Sequence, residues 1–140
     1  MKNKFLFSAS LRITHPTIAA KDIVEALPLK ANVVHSIGEP RKTKRGAALQ
    51  GGYQKTYVSF PLSVDGFDYP ENFLLKQVGE PYLSNDAYFE SIALTGGKIE
   101  FFMGIHCKNN GGFDIDCDLV RKLAKKWISI SFDIYGNEWV

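Results

Sequence analysis

Arg41, Lys42, Lys44 and Arg45 fall within five residues, and Tyr53, Lys55 and Tyr57 follow beyond a Gly-rich turn. Cations with no acid among them can receive a phosphate, a carboxylate-rich protein face or, beside aromatic rings, a stacked base. Gly46, Gly51 and Gly52 permit backbone conformations with positive φ in this stretch. Neither GKS nor GKT follows the glycines, so the stretch is no nucleotide-binding Walker loop. A charge run of this kind is also what any solvated loop carries. These seven residues are the candidate ligand- or partner-binding set.

The other reactive side chains form no motif. Asp114, Asp116 and Asp118 have the spacing of a calcium loop, but Leu119 stands where that loop needs Gly and Lys125 where it needs a bidentate Glu. Helix capping is the better reading. His106 and Cys107 are adjacent on an expected strand and point to opposite faces, and Cys117 is ten residues away, so no zinc spacing exists. His15 and His35, or Glu100 and Asp133, could meet if their strands are neighbours. An enzyme would require such groups to converge in a pocket. No catalytic residue, metal or cofactor is assigned.

The basic character is local. Between residues 41 and 64 there are five cations and no acid, whereas the rest of the chain holds more acids than bases under a net charge of +2. That pattern suggests a contact patch more than a general nucleic-acid coat. At 140 residues, 45% hydrophobic and 23% charged, the chain fits one globular domain and not a disordered one. No stretch approaches the roughly 20 apolar residues of a membrane span, and the N-terminal apolar run is broken by Ser8, Ser10 and Arg12. Cys107 and Cys117 are too few for a disulfide scaffold and too far apart for a redox pair, which points to the reducing cytoplasm.

The elements that position these residues are legible from periodicity. Alternation of apolar and polar residues predicts strands over 5–14, 53–62, 98–107 and 128–135, all sharing one sheet, with a short strand over 33–37. Residues 39–52 read as a long connection without regular structure. Helical spacing of Ala20, Ile23, Val24 and Leu27 predicts a helix with Thr17 as N-cap, and two further helical pieces cover 71–78 and 85–94. A last helix is capped by Asp116, with Leu119, Val120, Leu123, Ala124 and Trp127 as its apolar face. The fold class is α+β: a mixed sheet of about five strands with helices mainly on one face, as in a ferredoxin-like core with an added helix and strand.

Gly38-Glu39-Pro40-Arg41, Thr43, Gly46, Leu49, Gly51, Tyr53, Tyr57-Val58-Ser59 and the closing Asp133-Ile134-Tyr135 resemble the bacterial family catalogued as domain of unknown function 4279. Val58 stands where that pattern has a Trp before the Ser. The resemblance implies a small bacterial α+β protein and carries no assigned activity. By analogy with small immunity proteins, the leading expectation is a non-enzymatic domain that binds another protein, such as a toxin with an acidic face, through loop 41–45. The alternative is a nucleic-acid or phosphate binder using the same loop with Tyr53 and Tyr57. Neither reading involves a membrane, and the oligomeric state is left open.

Overall fold

The computed structural model describes residues 5–136. Its elements are β1 (Leu6–His15), α1 (Ala20–Ala26), β2 (Val33–His35), β3 (Pro40–Lys42), β4 (Ala48–Gly52), β5 (Thr56–Leu62), α2 (Pro70–Val78), a 3-10 turn (Pro81–Leu83), α3 (Asp86–Leu94), β6 (Lys98–His106), α4 (Cys117–Lys125) and β7 (Ile128–Tyr135).

Five strands form one sheet in the order β2-β5-β1-β6-β7. Each neighbouring pair among the first four is antiparallel, and β7 joins β6 in parallel. Parallel pairing needs a crossover, which α4 supplies. The order and directions of β1, β2, β5 and β6, with α1 and the α2–α3 segment between them, are those of a ferredoxin-like core. α4 and β7 are the added helix and strand. All four long strands expected to share a sheet do so.

One face of the sheet is covered. On β1, Phe7, Ala9, Leu11, Ile13 and His15 are buried, and in register with them lie Val58 and Phe60 of β5 and Ile99, Phe101, Met103 and Ile105 of β6. Ile23 of α1, Phe73 and Leu74 of α2, Phe89 and Ile92 of α3, and Leu119 and Leu123 of α4 close over them. Among the described residues no helix lies on the other face. That face presents Ser10, Arg12 and Thr14 of β1 beside Tyr57 and Ser59 of β5 and Lys98, Glu100 and Phe102 of β6.

Three local expectations need correction. Thr17 does not cap α1; the N-cap position is Ala19, and the first helical amide, that of Ala20, donates instead to Ser36 Oγ at 2.8 Å. Trp127 is not on a buried helical face. α4 ends at Lys125, and Trp127 follows at φ 62°, 46% exposed, with its amide donating to Ala124 O at 3.0 Å. The chain turns there to enter β7, so the helical phase no longer applies. Val120 is also exposed, because α4 buries Leu119 and Leu123 and turns Val120 outward; Phe132 and Ile134 are exposed toward the end of β7, beyond the buried Ile128. Asp116, by contrast, caps α4 as expected, accepting from Leu119 N at 2.9 Å.

Candidate binding surface

Residues 39–52 are not an irregular connection. β3 and β4 pair antiparallel as a separate two-stranded ribbon, with Pro40 opposite Gly52 and Lys42 opposite Ala48. Every residue from 40 to 52 is exposed. Such a ribbon is held by its backbone, since it buries nothing. At its tip Thr43 N donates to Ala47 O at 2.8 Å, Gly46 N donates to Thr43 O at 2.9 Å, and Ala47 N donates to Thr43 Oγ1 at 3.1 Å. Gly46 adopts φ 84°, which the turn requires and L side chains resist. At its base Gly38 N donates to Tyr53 O at 2.8 Å and Tyr53 N donates to Glu39 O at 3.0 Å. Gly52 packs there against backbone: a Cβ on it would lie 3.1 Å from Gly38 O.

The ribbon spreads its cations along its length. Arg41 and Lys42 lie on β3, where Arg41 Nη1 reaches Gln50 O at 3.5 Å, and Lys44 and Arg45 occupy the tip turn. None of the four has an ion pair among the described residues, although Lys21, Lys76, Lys98, Lys122 and Lys126 all do. Their charge is therefore uncompensated locally. A shallow groove of about 410 Å³ runs along the foot of the ribbon, lined by Lys42, Thr43, Glu39, Tyr53 and His35 among others.

The remaining candidates separate. Tyr53 precedes β5 and lays its ring on His35, centroids 4.1 Å apart and 12° from parallel. Tyr57 is on the helix-free face, 6.2 Å from the His35 ring. Lys55 sits exposed in the turn between them and joins neither. Arg12 lies beyond Tyr57, 6.0 Å from its ring, and is stacked 3.6 Å above the centre of Phe102. A stripe of Tyr53, His35, Tyr57, Arg12 and Phe102 thus leads from the ribbon's base across the sheet. The sequence offered one signal for Arg12: it is the charged residue among Ser8, Ser10 and Thr14 on the outward side of β1.

The other pairings considered do not form. His15 faces the helices while His35 faces away from them, and β5 lies between their strands, β1 and β2. Glu100 and Asp133 are on neighbouring strands, but Glu100 is opposite Ser129 and Asp133 is opposite Gly104, with the Phe102–Ser131 pair between. Asp118 pairs with Lys122 at 3.1 Å, and the Asp114 amide donates to Glu71 at 3.1 Å. Among the described residues no three His, Cys, Asp or Glu side chains gather as metal donors, and no helix is long and apolar enough to cross a membrane.

No family model, curated protein or solved structure matches the chain.

Proposed function

We propose that this domain recognises an acidic protein through the β3–β4 ribbon, in the manner of a small immunity protein that neutralises a toxin. The observation that carries the reading is the ribbon itself, a fully exposed arm with four cations, none of them ion-paired among the described residues, and a backbone-fixed base. Uncompensated charge on a projecting element steers an oppositely charged partner and raises the association rate. Two free cysteines fit work in a reducing cytoplasm. Membership of the family of domain of unknown function 4279 belongs to the same proposal, resting on residues 38–59 and 133–135.

A second reading is favoured by the Tyr53–His35 stack at the ribbon's base: a nucleic acid whose phosphates follow the cations and whose bases meet the rings. One experiment separates the two. Proteins from the host are captured on the domain and on a variant with Arg41, Lys42, Lys44 and Arg45 changed to Ser, with and without nuclease. A protein retained by the wild type alone, in spite of nuclease, and binding directly once purified supports recognition of an acidic protein. Capture abolished by nuclease, or equal capture by the variant, overturns it.

A further inference from the structure

Arg12 lies on the central strand of the sheet, on the face without helices. Stacking at 3.6 Å on Phe102 fixes the plane of its guanidinium. Its partner across the strand pair on β6 is Glu100, the position from which a sheet ordinarily supplies an opposite charge. Glu100 is engaged elsewhere: it accepts from Ser131 Oγ at 2.7 Å and pairs with Lys98 at 3.2 Å. Arg12 consequently has no hydrogen bond or ion pair among the described residues, and its Nε is shut off from solvent without an acceptor. Nη1 and Nη2 are not enclosed in this way, so an anion that reaches them meets a guanidinium already held in one orientation and bonded to no carboxylate.

We propose that Arg12, held flat on Phe102, receives a carboxylate from an acidic side chain of a protein docking on the helix-free face beside the ribbon. A single planar guanidinium matches a single planar monoanion. A phosphate dianion collects several donors, and here Lys98 is committed to Glu100 and the backbone amides of β1 serve the ladders to β5 and β6. Glu100 alongside also opposes a second negative charge. Continuity places both contacts on one surface: Tyr53 stacks on His35, His35 borders Tyr57, and Tyr57 borders Arg12. The nature of the partner rests on the ribbon reading, but the part played by Arg12 can be measured separately.

The test is NMR titration of the isotopically labelled domain with a capped hexaglutamate peptide, inorganic phosphate and an oligothymidylate. The peptide is expected to shift the Arg12 Nε–H and Phe102 ring signals saturably. Arg12→Gln should weaken peptide binding roughly tenfold, as for loss of a charge-assisted hydrogen bond, with the melting temperature retained and the ribbon signals still responding. Arg12→Lys should restore only part of the affinity, because it keeps the charge and lacks the fork. A response at Arg12 without one at the ribbon supports this site and removes the ribbon reading. A response at the ribbon without one at Arg12 overturns this site and leaves the ribbon reading standing. Full rescue by Lys, or a larger Arg12 response to phosphate or oligothymidylate than to the peptide, also overturns it.

Discussion

His15 and Thr95 are 80 positions apart in the chain, and their side chains meet at 2.7 Å. The contact fixes the imidazole tautomer. His15 Nδ1 accepts from the amides of Thr17 and Ile18, each at 3.0 Å, so the proton resides on Nε2 and is donated to Thr95 Oγ1. Thr95 in turn donates to Ser91 O at 2.6 Å. Neutral His15 thereby ties the end of β1 to the end of α3 and satisfies the two amides that lead into α1.

A pH dependence follows from this arrangement. Burial lowers the His15 pKa from its ordinary 6.5, and a proton on Nδ1 would face two N–H groups. Above the unfolded value both states are neutral and the contribution is complete. Below it the unfolded chain takes up a proton that the folded chain resists, so stability is lost as pH falls from about 6.5 toward the lowered folded value, by at most about 1.4 kcal/mol per pH unit. Denaturant unfolding at pH 7.5 and at successively lower pH should show this slope, and His15→Ala should remove it while destabilising the domain at every pH. A slope that persists in the variant would assign the titration to another group.

Trp127 supports a prediction of the opposite sign. Its φ of 62° is costly for a side chain with a Cβ, and nearly half of the residue is exposed. Trp127→Gly should therefore leave stability unchanged or raise it by up to about 1 kcal/mol, and Trp127→Ala should cost far less than the roughly 3–5 kcal/mol of a buried Trp. Thermal melts of both variants check this. A loss of several kcal/mol in either would show the ring to be a packing element.

The ribbon cations should be dispensable for folding. Exposed charges contribute well under ~1 kcal/mol each, and mutual repulsion within 41–45 is relieved by their removal. Changing Arg41, Lys42, Lys44 and Arg45 to Ser should leave the melting temperature nearly unchanged and slow association with the acidic partner, most strongly at low salt where screening is weakest. Unfolding of the variant, or wild-type association in low salt, would count against the arm as a steering element.

Gly52→Val tests the ribbon's attachment. Its Cβ would meet backbone at Gly38 O and Glu39 O, 3.1 and 3.2 Å away, where no side chain can yield. The amides of Gly38 and Tyr53 should lose hydrogen-exchange protection while those of β1 and β6 keep theirs. Retained protection at Gly38 and Tyr53 would mean that the base accommodates a side chain by another route.

What was legible in the sequence is what burial dictates. β1, β5, β6 and β7 alternate because one face meets the helices, and alternation is visible in one dimension. The ribbon is not legible because residues 40–52 bury nothing, and a hairpin held by hydrogen bonds without packed side chains leaves no hydrophobic period. Trp127 continued the apolar spacing of α4 past the residue where the helix ends. The four ribbon cations were evident as a cluster, whereas Arg12 was not, since its isolation depends on Glu100 turning to Ser131 and Lys98. That choice is decided by which strands flank β6, and a single sequence does not display strand order.

The attachment at Gly38, Glu39 and Tyr53 has a geometric corollary. With the foot pinned, inserting one residue in each of β3 and β4 would carry the tip about 3.4 Å outward and turn Lys44 and Arg45 to the opposite side; a second such pair would turn them back. Reach and facing can therefore diverge between related chains in discrete steps, with the hydrophobic interior left as it is.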